Sequence, residues 1–137
     1  MPSLSNLSGS LDANVLLRLL LNDVDSQHQA AVKLLQKPDA QFAVADTAFI
    51  EIVFVLERNY GFTRSQIVEA VEGLAAVQQL NCDRELLQHA LPIFKAHSSL
   101  SFEDCCLTTY AKLSMAEPLW TFDQKLAKQL ATAKLLV

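Results

Sequence analysis

Hydrophobic positions along the chain follow two different periods. Longer stretches repeat apolar residues at helical spacing, and they predict helices over about 15–21, 27–36, 46–61, 63–74, 83–91, 102–114 and 124–134. Short apolar runs between them predict strands at 41–45, 77–82 and 118–122, with a poorly formed first strand at 7–11 and the start of a last one at 135–137. Short strands that alternate with longer helices predict an α/β fold, with a mainly parallel central sheet flanked by helices.

Several helix ends carry recognisable signals. Asn14 is predicted to cap the first helix, and Asp83 the fifth. Thr63 and Gln66 have the spacing of a capping box. Pro92 lacks a backbone N–H group, so it is predicted to kink or end the fifth helix.

Length and composition limit the organisation of the chain. A chain of 137 residues with 51% hydrophobic residues is sufficient for one domain with a real core. We therefore expect a single domain across 1–137, with 1–6 as a loose N-terminal end. The three cysteines have no metal-ligand spacing, residues 1–10 do not resemble a secretory signal, and no apolar stretch reaches membrane-spanning length. These features predict a cytoplasmic protein with reduced thiols and no membrane association.

The net charge of −4 leaves two interpretations open. A protein that binds nucleic acid mainly by electrostatic attraction to phosphates normally has a basic surface, and this chain has no net positive charge. Carboxylates that hold divalent cations would have their charge cancelled locally, and the cations would then face a phosphate. The alternative is that the charge merely keeps a small domain in solution.

Four carboxylates occupy positions where they could act together. Asp12 and Asp123 each follow a predicted strand, and ligands of parallel sheets bind at the carboxyl ends of strands. Asp104 lies in the first turn of its helix, and Glu51 interrupts an apolar run, where a carboxylate is costly to bury unless it is paired or binds metal. The alternatives are that the aspartates cap helices and that Glu51 lies on a solvated helix edge, bridged to a lysine. Hard cations such as Mg²⁺ prefer oxygen ligands, and two-metal phosphodiester cleavage needs several carboxylates together.

Four motifs resemble those of the PIN-domain nucleases. Leu11-Asp12-Ala13-Asn14 is similar to the first family motif, and Glu51 ahead of Val55-Leu56 is similar to the second. Phe102-Glu103-Asp104 resembles the third, and Thr121-Phe122-Asp123 resembles the last. The resemblance covers nearly the whole chain from Leu11 onwards, with all four motifs in order. Each motif alone is weak, but four in order are fairly specific.

The resemblance implies a ribonuclease that binds Mg²⁺ or Mn²⁺ and uses an activated water to cleave RNA. It implies metal-binding and catalytic roles for four acids, namely Asp12, Glu51, Asp104 and Asp123. It also implies supporting roles for Asn14 and Thr121. Small single-domain members most resemble the toxins of bacterial VapBC-type toxin–antitoxin pairs, which implies a homodimer and an antitoxin partner.

Other interpretations stay open at this point. The chain could be a non-catalytic PIN-like module whose acidic pocket engages a protein partner, or an enzyme that acts on DNA or as a phosphatase. Arg18, Arg58 and Arg64 could contact phosphate, although solvated side chains are the simpler expectation. Tyr60 and Phe62 fit either a dimer patch or a loop packed on the core. The spacing of three lysines predicts a partly shared basic helix face, with an ordinary solvated face as the simpler interpretation: Lys125, Lys128 and Lys134.

Overall fold

The computed structural model describes residues 7–137, so the expected loose N-terminal end at 1–6 lies outside the described residues. Contacts within the chain define two compact units, the first ending at Asp83 and the second running from Arg84 to Val137. A single domain across 1–137 remains a prediction. Among residues 7–137, no helix combines the length and apolar character that a membrane crossing requires.

The first unit contains four helices and three strands. Its elements in chain order are β1 (Gly9–Ser10), α1 (Ala13–Leu20), α2 (Asp25–Leu35), β2 (Phe42–Ala43), α3 (Asp46–Arg58), α4 (Arg64–Ala75) and β3 (Leu80–Asn81). The strands form one parallel sheet in the order β1-β2-β3. Gly9 pairs with Phe42, and Phe42 pairs in turn with Leu80. The three strands therefore run in the same direction, and their carboxyl ends lie along one edge.

Apolar helix faces hold these short strands in place. The helices α1, α3 and α4 pack against one another. Their buried side chains include Leu16 on α1, Ile52 and Leu56 on α3, and Ile67 on α4, all fully excluded from solvent. Burial of each such side chain contributes roughly 1.5–3 kcal/mol. Since each strand has only two residues, the packed helices and not the sheet hydrogen bonds provide most of the stability.

The second unit contains three helices and two strands. Its elements are α5 (Arg84–Ala96), α6 (Phe102–Leu113), β4 (Leu119–Thr121), α7 (Gln124–Gln129) and β5 (Ala133–Leu135). The two strands pair in parallel, with Trp120 opposite Lys134. The helices α5 and α6 pack closely, and the rings of Phe94 and Phe102 meet edge to face with their centroids 5.5 Å apart.

The structure confirms the predicted α/β class and its parallel strands, and it corrects three details. The cap of α1 is Asp12 and not Asn14, so the helix begins two residues earlier than predicted. The helix α5 continues through Pro92 to Ala96, because Leu91 and Phe94 on either side are buried in the core. The last helix stops at Gln129, and Lys134 therefore lies on a strand and not on a helix face.

Two predictions about local chemistry are confirmed. Thr63 and Gln66 form a complete capping box at the start of α4, in which the Thr63 hydroxyl accepts from the Gln66 N–H at 3.1 Å. The Gln66 side chain accepts in return from the Thr63 N–H at 2.8 Å. The cysteines Cys82, Cys105 and Cys106 are buried and form no disulfide within residues 7–137.

Replacing Thr63 by Ala should destabilise the protein by about 1 kcal/mol, because the N–H of Gln66 loses its acceptor. Urea-induced unfolding followed by circular dichroism measures the change. Thr47→Ala is the matched control, since Thr47 is exposed in the first turn of α3 and accepts no capping hydrogen bond in the described chain. Equal stability of the Thr63 variant and the wild type would contradict the assigned cap.

Candidate active site

Asp12 stands at the point where the chain leaves β1 and enters α1. Its Oδ1 accepts a hydrogen bond from the Val15 N–H at 3.1 Å and thereby caps the helix. The side chain is exposed, and its Oδ2 receives no hydrogen bond from the residues that the structure describes. Asp12 therefore caps a helix, as the alternative interpretation of the sequence predicted, but only Oδ1 does so. The other oxygen, Oδ2, is available to a ligand.

Glu51 lies in the middle of α3 and is exposed, although Ile52 and Val53 beside it are buried. Glu51 therefore lies on a solvated helix edge, which was the alternative considered from the sequence. The lysine bridge is not observed, because Glu51 forms no ion pair with any of the described residues. Its carboxylate is therefore accessible to a cation or to solvent.

A second acid pair lies at the same sheet edge as Asp12. Asp46 is the first residue of α3, three residues after β2, and Asp83 follows β3 by two residues. Partial burial raises the pKa of Asp46 above its ordinary value of 3.8, and the negative charge of Asp83 raises that pKa further. Asp46 was not predicted from the sequence as a site residue, and it does not cap α3, because Ala45 occupies the capping position. Its position in the sequence could have indicated a site residue, since Asp46 follows β2 as Asp12 follows β1.

A groove lies beside Asp12 in the first unit. It has a volume of about 370 Å³, and apolar side chains provide half of its lining residues. The residues that line it come from α1 and α2 and the turn before α1: Asp12, Asn14, Val15, Arg18, Gln27, Ala30, Ala31 and Leu34. Asn14, predicted to support the site, is exposed at this groove.

Asp104 occupies the first turn of α6 in the second unit. Ser101 caps this helix, and its hydroxyl accepts from the Asp104 N–H at 3.1 Å. The cap therefore fixes the backbone of Asp104, whose half-buried carboxylate makes no hydrogen bond or ion pair with the described residues.

Asp123 follows β4 and caps α7. Its Oδ1 accepts from the N–H groups of Lys125 at 2.9 Å and Leu126 at 3.1 Å. The Asp123 N–H donates to Oγ1 of Thr121 at 2.9 Å, so a side chain of the strand fixes the turn that presents the acid. As at Asp12, the second carboxylate oxygen receives no hydrogen bond from the described part of the chain.

The four predicted acids divide between the two units. Asp12 and Glu51 belong to the first unit, whereas Asp104 and Asp123 belong to the second. Within residues 7–137, no group of three or more His, Cys, Asp or Glu side chains is close enough together to hold a metal ion. The joint site of four acids remains a prediction.

Arg18 is engaged in a side-chain network and is not solvated as expected. Its guanidinium lies 2.5 Å from Oδ1 of Asp23 and 3.4 Å from the Tyr60 hydroxyl. Tyr60 donates to Oδ2 of Asp23 at 2.8 Å. The Tyr60 hydroxyl first, and Arg18 in addition, hold the pKa of Asp23 below its ordinary value. Tyr60 thus connects the loop after α3 to the end of α1, which favours the loop-packing interpretation of this residue.

The other two arginines singled out from the sequence also have intramolecular contacts. Arg64 forms an ion pair with Glu57 at 3.3 Å, and the Arg58 guanidinium stacks over the Phe54 ring at 5.5 Å. The lysines near the C-terminus differ, because Lys125, Lys128 and Lys134 are exposed and form no ion pair within the described chain. Basic groups available to an anion are therefore present on α7 and β5.

These features define an α/β protein with parallel strands and carboxylates at the strand ends. A model of the PIN domain matches residues 10–131. The chain therefore belongs to the PIN-domain family. A search of curated proteins finds no match. PIN domains are generally nucleases that bind divalent metals and act on nucleic acid, so the family supports a nuclease at this general level.

Replacing Asp46 by Asn should stabilise the protein at neutral pH. A raised pKa means that the folded state holds the proton more tightly than the unfolded chain, so ionised Asp46 destabilises the fold. Well below pH 3.8 the carboxyl is protonated in both states and the penalty disappears. The penalty grows as pH rises from the ordinary pKa of 3.8 through the folded-state pKa. The gain in melting temperature of the variant should therefore be present at pH 7 and absent well below pH 3.8.

Thermal unfolding of both proteins across this pH range, without added metal, measures the difference. Glu69→Gln is the control, since it removes an exposed carboxylate from α4 in the same unit. Its effect should stay within about 0.5 kcal/mol at every pH. A gain for the Asp46 variant that persists unchanged in acid would contradict the electrostatic explanation.

Proposed function

We propose that the protein is a divalent-metal-dependent ribonuclease that hydrolyses RNA phosphodiester bonds, and that it is the toxin of a toxin–antitoxin pair. The observation that carries the nuclease proposal is the repeated arrangement of Asp12 and Asp123. Each follows a parallel strand and caps a helix with one oxygen, and each leaves the other oxygen without a hydrogen bond from the described residues. In a PIN-family chain, this arrangement fits the ligation of a hard cation.

The donor set fits Mg²⁺ or Mn²⁺. Asp12, Glu51, Asp104 and Asp123 would hold the cation through carboxylate oxygens, the ligand type that these ions prefer. A divalent cation bound there would supply the Lewis acidity that phosphodiester hydrolysis by water requires. Histidine or cysteine nucleophiles are not needed for this chemistry.

The chain's own residues position the acids. Thr121 holds the backbone of Asp123 through its hydroxyl, and Ser101 holds that of Asp104. We assign Thr121 a positioning role on this hydrogen bond. Asn14 lies two residues after Asp12 on the rim of the groove, and we propose that it supports Asp12 or contacts substrate.

The toxin role rests on the resemblance of the acid motifs, and the groove beside Asp12 is consistent with it. A groove between α1 and α2 that is lined by apolar and polar side chains in equal number is suited to a short segment of a partner protein. An antitoxin segment bound there would lie against Asp12 and could block substrate. We further propose a homodimer, as the resemblance implies.

A second candidate function is a non-catalytic module that engages a protein partner at the same place. The same groove favours it, because the groove provides a binding surface without requiring catalysis. The two candidates differ in one observable result. Tight binding of a partner with no cleavage of any RNA would favour the module over the enzyme.

Replacing Asp104 by Asn should abolish metal-dependent RNA cleavage and weaken metal binding while the fold stays intact. The amide keeps the shape of the carboxylate but removes the charge that a cation needs. Cleavage of a mixed pool of structured and single-stranded RNA in Mg²⁺ or Mn²⁺ measures activity, and calorimetric titration of Mn²⁺ measures binding.

Glu103→Gln is the matched control, because it removes the neighbouring exposed charge from the same helix turn. That variant should retain cleavage. Retained cleavage by the Asp104 variant, or equal loss in both variants, would refute the assigned role of Asp104.

Replacing Thr121 by Val should lower cleavage by about 10- to 100-fold, the range usual for residues that orient a metal ligand. Valine keeps the volume but removes the oxygen that accepts from the Asp123 N–H. Thr121→Ser restores that oxygen and should recover most of the activity. If Ser and Val lowered the rate equally, the hydrogen bond would not be the reason for the loss.

A further inference from the structure

The two strands of the second unit present one covered face and one open face. On the covered side, Ala133 is buried, and Leu119, Thr121 and Leu135 are partly buried. On the open side, Trp120 and Lys134 are register partners on neighbouring strands. Two further exposed residues follow them at a spacing of two, Phe122 after Trp120 and Leu136 after Lys134. We call Trp120, Phe122, Lys134 and Leu136 the aromatic face.

The aromatic side chains on this face are unusually exposed. Trp120 is 59% exposed and Phe122 is 77% exposed, although both are large apolar residues. Pairing of the chain continues past the strand, since the Leu136 N–H donates to the Thr121 carbonyl at 2.8 Å. Trp120 therefore extends from a paired strand, and Phe122 extends from the bend that directly follows it. Adjacent exposed aromatic residues on an ordered surface are typical of a binding site.

The charge around this face differs from that of the rest of the chain. Residues 118–137 contain three lysines and one aspartate, a net charge of +2, whereas the whole chain has −4, so residues 1–117 carry −6. Lys134 is exposed beside Trp120 and forms no ion pair within residues 7–137. The local charge at this end of the chain therefore favours an anionic partner.

Aromatic rings next to a free cation match the chemistry of an unpaired nucleotide. A base can stack on an indole or phenyl ring, while a lysine contacts the adjoining phosphate. Bases in a duplex are stacked on each other and do not offer their faces. Asp123 directly follows Phe122, so a strand bound on this face continues to one of the proposed metal ligands.

We propose that the aromatic face binds single-stranded nucleic acid by stacking unpaired bases on Trp120 and Phe122, with Lys134 contacting phosphate. The orientation of this strand toward Asp123 rests on the proposed nuclease function. The stacking itself requires no catalysis and can be measured without it.

The chain contains one tryptophan, so emission excited at a wavelength that tyrosine does not absorb reports on Trp120 alone. A single-stranded uridine oligonucleotide, titrated in EDTA so that metal-dependent cleavage is prevented, should quench this emission saturably. A duplex of the same length should quench it much less. Absence of quenching by the single strand, or equal quenching by the duplex, would overturn the proposal.

Variants identify the residues involved. Phe122→Ala should weaken binding of the oligonucleotide by about tenfold, as expected for loss of one stacked base. Lys134→Gln should reduce the slope of log affinity against log salt by about one. Tyr110→Ala is the matched control, because Tyr110 is 66% exposed on α6 outside the aromatic face, and this variant should bind normally. Equal weakening by the Tyr110 and Phe122 variants would refute a specific face.

Two further measurements separate this proposal from others. Binding of the single strand by wild-type protein that cleaves no RNA in Mg²⁺ or Mn²⁺ would refute the proposed nuclease function and leave the stacking proposal standing. Sedimentation of wild type and Phe122→Ala tests the competing occupant, a second copy of the chain. Loss of a dimer with unchanged oligonucleotide binding would assign the face to self-association and overturn the proposal.

Discussion

Parallel pairing of very short strands is the constraint on which the arrangement of this protein depends. Every strand pair in the described chain is parallel, and each strand has two or three residues. Hydrogen bonds between such short strands cannot hold a sheet together, so buried helix faces must keep them in register. Parallel strands also direct the next residues to one common edge. In the first unit, Asp12, Asp46 and Asp83 all emerge there, and the repulsion between Asp46 and Asp83 is a direct consequence.

The turn between a strand and the following helix allows one aspartate both to cap the helix and to bind a ligand. Asp12 and Asp123 each satisfy the first N–H groups of a helix with one oxygen, which contributes about 1 kcal/mol to stability. The same geometry leaves the other oxygen accessible, so capping and ligand binding do not compete for one atom. The overall negative charge of the chain is consistent with this chemistry, because a divalent cation would neutralise the carboxylates that hold it. Contact with phosphate then depends on a bound metal cation and on lysine side chains, and Lys125 and Lys128 follow Asp123 by two and five residues.

Local features of this chain could be predicted from its sequence, and features that depend on distant pairing could not. The capping box of Thr63 and Gln66 is confirmed, because its partners are three residues apart. The four acid motifs led to the correct family, since each is a short contiguous pattern. The proximity of Asp46 and Asp83 depends on the register of β2 with β3, which no local pattern reveals. Lys134 was placed at the end of a helix predicted over 124–134, but pairing of β5 with β4 overrides the helix preference of the alanine, leucine and lysine residues around it.

The most direct test of the central claim is the chemistry of the RNA ends produced by the purified protein. Metal-dependent hydrolysis by water should occur with Mg²⁺ or Mn²⁺, stop in EDTA, and leave ends without a cyclic phosphate. Attack by the neighbouring ribose hydroxyl would instead produce a cyclic phosphate and would not require a metal. Cleavage that continues in EDTA, products that carry a cyclic phosphate, or no cleavage by folded protein free of partners would contradict the account.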